Sequence, residues 1–203
     1  MSRTSFMTLR KEIVEICRLF YERGWSPATS GNYSVRLDAK RILITTSRKD
    51  KGLIAAKDIV LVDLAGKPLN SRSLQPSAET LLHCSLYESN PEMGAILHTH
   101  SKYATLLSMR TADQITLEGY EMLKALRGVH THEHRETLPV FPNHQDMNTL
   151  AQIIKPYLRK NPQTHAFLIL AHGLYTWGRD LAEAKRHVEA LEFLLECEYH
   201  RSS

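Results

Sequence analysis

The run from Ala95 to Ser101, AILHTHS, ends an apolar stretch in two histidines one residue apart. Side chains two apart on a strand project to the same side, so His98 and His100 can aim both imidazoles at one point. That is half of a metal site. A catalytic zinc takes three protein ligands and keeps a further position open. His172 is the natural third ligand, because it closes a second apolar run, HAFLILAH, with Gly173 behind it to allow close approach of backbone or ligand. A lone histidine at a strand end is ordinarily a satisfied polar group; two on one face with a third at a matching strand end are what a metal requires. The chain has 11 histidines, so accidental pairings arise. HTHEH, at His130, His132 and His134, has the same spacing but lies among Arg127, Gly128, Glu133, Arg135 and Glu136, and reads as a solvated loop.

Thr29, Ser30 and Asn32 sit in a turn containing Gly31, whose backbone amides and side chains can donate to an anion. Such turns most often only join a helix to a strand. Lys51 can add a point charge, although a surface lysine is its default reading. Glu79 and Glu121 both suit acid-base work, and residue chemistry alone does not choose between them.

Elements must position these groups. Leu9, Ile13, Ile16, Cys17 and Phe20 recur at helical steps and predict a helix over 6–23 that stops at Gly24. A turn broken by Pro27 and Gly31 then feeds a strand in which Tyr33, Val35 and Leu37 alternate with polar residues. RILITTS and IVLVDL read as two more strands, and GKPLNSRSLQPSAET as a loop into a helix carrying Leu81, Leu82, Ser85 and Leu86. Residues 94–97 make a fourth strand that ends in His98 and His100, and HAFLILAHG another that ends in His172. Asp180 with Glu183 has the form of a helix-start capping arrangement, after which Leu181, Ala184, Val188, Leu191 and Leu195 mark one face of the last helix.

The 203 residues suffice for one α/β domain with a full core, spanning 1–203 without a composition break. Twenty-six Lys and Arg against 22 Asp and Glu give +4, spread without any nucleic-acid-binding signature, so no nucleic-acid partner is expected. Cys17, Cys84 and Cys197 are odd in number, far apart and on helical segments, which argues against a disulfide framework and for reduced thiols. The N-terminal charges exclude a signal-peptide core, and no run approaches the roughly 18 apolar residues of a membrane span. A cytoplasmic protein with no membrane partner is the expectation.

The ordered set TSGNYSVR, TTSRKDKG, PSAETLLH, ILHTHS, GYEMLKAL and LILAHGLYTWG resembles the class II aldolase and adducin head-domain family over nearly the whole chain. The resemblance implies a three-layer αβα fold with a central, mainly antiparallel sheet flanked by helices. It implies that His98, His100 and His172 bind one divalent metal per subunit, zinc in most relatives. It implies a sugar-phosphate substrate held by Asn32, Thr46 and Ser77, and a fourfold homotetramer with sites shared between subunits. Glu121, in GYEMLKAL, matches the proposed acid-base of the family's dehydratase branch, and Glu79, in PSAE, the metal-adjacent glutamate of its aldolases. Glu121 is therefore preferred for proton shuttling, with Glu79 supporting. The implied reaction is metal-dependent dehydration of 5-methylthioribulose 1-phosphate in methionine salvage. Aldol cleavage or epimerisation of another sugar phosphate is the alternative, and a non-enzymatic adducin-like module, which lacks the metal histidines, the remote one.

Overall fold

The computed structural model describes residues 3–69, 74–111 and 113–201, and side chains from Phe6 onward. Residues 70–73 of the loop expected before the second helix lie outside the described residues.

Helix α1 (Arg3–Glu22) turns Ile13, Ile16, Cys17 and Phe20 inward and stops where Gly24 takes a φ of 72°. Strands β1 (Asn32–Arg36), β2 (Arg41–Thr45) and β3 (Ile59–Asp63) form an antiparallel meander. Helix α2 (Thr80–Ser89) leads to β4 (Ala95–Thr99) and α3 (Lys102–Arg110). Strands β5 (Gln114–Glu118) and β6 (Arg135–Phe141) follow, then α4 (Met147–Lys160), β7 (Ala166–Ile169), β8 (Gly173–Gly178) and α5 (Leu181–Arg201). The strands make one sheet in the order β3-β2-β1-β4-β8-β7-β6-β5, antiparallel at every step except β6 beside β7.

Alternation along the strands separates two cores. Ile42, Ile44, Phe167, Ile169, Tyr175 and Trp177 face α2 and α4, whereas Leu43, Ala166, Leu168 and Leu174 face the side covered by α1, α3 and α5. The result is three layers, helix on sheet on helix, as the resemblance implies. Asp180 opens α5 by accepting from the Glu183 amide at 2.8 Å, while the Glu183 carboxylate reaches back to the Arg179 amide.

Two strand ends differ from the sequence reading. His98 lies within β4, and His100 stands one residue past its end. The second apolar run stops pairing at Ile169, and Ala171 adopts a left-handed φ of 52°, so His172 occupies the tight connection into β8. The reason is Gly173, which must begin β8 against the β4 backbone. Cys17, Cys84 and Cys197 are all unpaired. Among the described residues no helix is long and apolar enough to cross a membrane.

Candidate active site

The middle of the sheet brings together the side chains expected to bind a metal. Asn32 is in register with His98 across β1 and β4, and Leu174, two residues after His172, pairs with Thr99. His98 Nε2 and His100 Nε2 lie 3.3 and 3.2 Å from His172 Nε2. Glu79, at the N-cap position of α2, sets Oε2 3.3 Å from His98 Nε2 and Oε1 3.3 Å from His172 Nε2. The metal bonds of zinc to imidazole are about 2.0–2.1 Å, which puts neighbouring donors of a tetrahedron about 3.3–3.4 Å apart. The observed spacings meet that requirement.

The donor set is also in the right chemical state. His98 Nδ1 donates to the Leu174 carbonyl at 2.9 Å, which leaves Nε2 with its lone pair facing the cluster. Burial, aided by the neighbouring imidazoles, holds His98 far below the ordinary histidine value and His100 down to about 2, so both are neutral. His98 is completely buried and stacks on Tyr175, with ring centroids 4.0 Å apart. The residues present therefore fit a divalent cation.

A cleft of about 440 Å³ opens beside this cluster. Its walls carry Thr29–Asn32, Thr46–Arg48, Lys51, Ser77–Glu79, His100 and His172, together with Asn143–Gln145 and Met147. Asn32, Thr46 and Ser77 thus share the cleft with His100 and His172. Asn32 donates through Nδ2 to Glu79 Oε2. The Thr46 hydroxyl donates to the Gln75 carbonyl at 2.7 Å, and Ser77 Oγ accepts from the Glu79 amide at 3.3 Å.

Lys51 departs from the default reading of a surface lysine. Its side chain is 1 % exposed, and Nζ donates to the carbonyls of Thr29 at 3.1 Å and Lys49 at 2.9 Å. Two of its three N–H donors are spent on neutral oxygens, and no carboxylate among the described residues forms an ion pair with it. Burial lowers its pKa. A buried cation of this kind beside a cleft favours an anionic ligand.

Glu121 is not brought to the histidines within the chain. It begins a 3-10 turn (Glu121–Ala125), its side chain is 71 % exposed, and it ion-pairs with Lys124. His132 lies beyond, with Nδ1 3.9 Å from the same carboxylate.

The HTHEH segment is solvated only in part. His130 and His132 are exposed. His134, however, donates to Glu136 Oε2 at 2.9 Å, as does His165 Nδ1, and His165 Nε2 donates to the Arg127 carbonyl at 2.8 Å. Glu136 is buried in β6, a strand that the sequence reading passed over, and so it draws His134 inward. Burial alone would lower the His165 pKa, but the Glu136 hydrogen bond and charge prevail and raise it. These groups form a hydrogen-bonded triad in which each ring nitrogen facing Glu136 is already engaged.

Sequence reasoning did not identify Arg48, Asn143, His144, Gln145 or Met147 as cleft residues. The last four follow β6, and the polar trio before the Asp146 cap was the available signal once that strand is recognised.

Residues 11–199 match the family described as Class II Aldolase and Adducin N-terminal domain. Methylthioribulose-1-phosphate dehydratase of Marinobacter nauticus is 49 % identical over 197 residues, covering 96 % of this chain and 94 % of that protein. The protein of the same name from Methylococcus capsulatus is 50 % identical over 198 residues, covering 98 % and 96 %. Among solved structures, L-fuculose-1-phosphate aldolase from Thermus thermophilus superposes with a TM-score of 0.77 at 23 % identity, over 97 % of this chain and 96 % of that one, a likeness of fold.

Proposed function

The chain belongs to the class II aldolase and adducin N-terminal domain family, and from that footing we propose how its cleft carries out the dehydration of methylthioribulose 1-phosphate. This is a hydro-lyase reaction, and its substrate places the chain in methionine salvage. The observation that carries the reading is the convergence of His98, His100, His172 and Glu79 on one point, in a chain about half identical to such dehydratases over nearly its full length.

The metal is zinc in this proposal, supported by three imidazole donors at tetrahedral spacing. When bound, it supplies Lewis-acid polarisation of the substrate's ketone and neighbouring hydroxyl oxygens. Lys51 and the turn at Thr29–Asn32, with Thr46 and Ser77, receive the phosphate. The C2 ketone acidifies the C3 proton. A carboxylate takes that proton and returns one to the departing C4 hydroxyl, so that water leaves and a C3–C4 enol remains. Tautomerisation of the enol gives the 2,3-diketo-5-methylthiopentyl 1-phosphate.

Glu121 is proposed as the main proton shuttle and Glu79 as the supporting carboxylate. Since Glu121 faces solvent in its own chain, it serves the cleft of a neighbouring copy, and the protein is a homotetramer with shared sites. One domain spanning the chain and a cytoplasmic location complete the proposal, the latter supported by three unpaired thiols.

The test is incubation with methylthioribulose 1-phosphate, followed by mass spectrometry, alongside fuculose and ribulose phosphates. Loss of one water from the first substrate is expected. Release of a three-carbon ketose phosphate would instead make the protein an aldolase.

A further inference from the structure

Behind the cleft, Asn32 and Glu79 continue into a buried polar chain of His83, Ser34 and Tyr87 that no step above uses. His83 lies one helical turn after Glu79 on α2, completely buried. Its Nε2 meets Asn32 Oδ1 at 2.5 Å, and its Nδ1 meets Ser34 Oγ at 2.7 Å. Ser34 Oγ in turn lies 2.9 Å from the Tyr87 hydroxyl. The ring edge of His83 packs on Tyr175, the residue stacked on His98.

The hydrogens in this chain are fixed by its far end. A carboxylate only accepts, so Asn32 must present its NH₂ to Glu79 and its carbonyl oxygen to His83. His83 must then carry its proton on Nε2, which leaves Nδ1 to accept from Ser34, whose oxygen accepts from Tyr87. Burial lowers the His83 pKa to about 4, consistent with one ring proton.

We propose that His83 is a positioning residue: its Nε2–H pins the Asn32 carboxamide in the one orientation that donates to the Glu79 carboxylate. Without that donor the amide is free to rotate by half a turn and set its oxygen against Glu79, which leaves the carboxylate misplaced beside the reacting carbons. His83 touches neither the cleft nor the metal-binding nitrogens, so its influence passes through Asn32. The proposal rests on the reading that Glu79 assists dehydration at this site.

The test is a double-mutant cycle on the metal-loaded protein, read as kcat and KM for methylthioribulose 1-phosphate, with metal content measured on each variant. His83→Leu is expected to lower kcat roughly 10- to 100-fold, the usual effect of losing a partner that orients a functional group. KM and metal content should change less than about threefold. His83→Gln, which keeps an N–H within reach of Asn32, should recover most of the loss. In an Asn32→Ala background His83→Leu should cost nothing further, since the group it orients is gone. If His83→Leu does not fold, Ser34→Ala replaces it: loss of the donor to Nδ1 frees the other tautomer, and a kcat decrease that vanishes in the Asn32→Ala background is again expected. Undiminished kcat, or the same loss with and without Asn32, overturns the inference. A parent protein that does not dehydrate the substrate overturns the underlying reading instead, before any variant is compared.

Discussion

Gly173 approaches Thr99 so closely that a Cβ on it would stand 1.9 Å from the Thr99 carbonyl oxygen. This contact seats the β7–β8 connection on the end of β4 and brings His172 to His98 and His100. Any side chain at 173 must push the two strands apart, and overpacking of this kind costs about 1–3 kcal/mol or more. Gly173→Ala is expected to bind metal at least tenfold more weakly while keeping its secondary structure. Titration of the apoprotein with a divalent cation checks this, and parental affinity would show that the glycine is not needed for assembly of the site.

Metal content should be one divalent ion per chain and should fall to background in His98→Ala and His172→Ala, as measured by elemental analysis. Because ligand imidazoles must be unprotonated, protons compete with the metal. Burial already holds His98 and His100 neutral, so that competition is weak at two of the ligands. The ion should therefore persist after dialysis somewhat below about pH 6, where exposed imidazoles protonate. Full occupancy in both alanine variants would move the site elsewhere.

Lys51→Met separates binding from stability. The buried ammonium interacts with two carbonyls and, among the described residues, with no paired carboxylate, so its charge is costly to bury in the absence of an anion. An apolar replacement of similar length should leave Tm unchanged or raised. Loss of a charge-assisted bond to phosphate is worth about 1.5–3 kcal/mol, or roughly a 10- to 100-fold rise in KM. A lowered Tm with unchanged KM would make Lys51 structural.

What the sequence made legible follows from how local each signal is. The 3.6-residue spacing of Ile13, Ile16 and Phe20 and the apolar run before His98 announce a helix and a strand without help from elsewhere. Strand β8, GLYTWG, and strand β6, with Glu136 and Pro139 inside it, show no clean alternation because tertiary partners decide their burial. Helices α3 and α4 also went unmarked, the second interrupted by Pro156. The clustering of His98, His100 and His172 was legible because each stands at the end of an apolar run, which is a local signal. The buried state of Lys51 could not, since it depends on Thr29 and Lys49 turning their carbonyls inward.

Glu192 gives the stability of the fold a pH dependence with a definite sign. It is buried behind β4, where it accepts from the Thr99 hydroxyl at 2.6 Å, and burial raises its pKa to about 7. The folded value lies above the unfolded one of about 4.3, so folding favours the protonated form. Its stabilising contribution is present below about pH 4 and lost as pH rises through 7. Glu192→Gln, neutral throughout, should match the parent near pH 5 and exceed it above pH 8 by roughly 2–3 kcal/mol. Denaturant midpoints at the two pH values decide, and a variant no more stable at high pH would mean that the carboxyl is ionised at little cost.

Glu121 tests whether the active site is shared. Its carboxylate is solvent-facing and paired with Lys124, and in the proposed mechanism it acts across a contact between copies on a substrate held at His98, His100 and His172. Glu121→Gln should lower kcat by about 10²- to 10⁴-fold with metal content intact, the range for loss of a general acid-base. His98→Ala should be inactive for lack of metal. When the two variants are co-expressed, random assembly joins an intact metal site from one chain to an intact Glu121 from its neighbour in about one site in four, so activity near a quarter of the parent should return. Parent activity should also fall on dilution below the range in which light scattering shows a tetramer. No recovery in the mixed protein, together with a fully active monomer, would place all the proton transfer within one chain, and Glu79→Gln would then be the variant expected to abolish turnover.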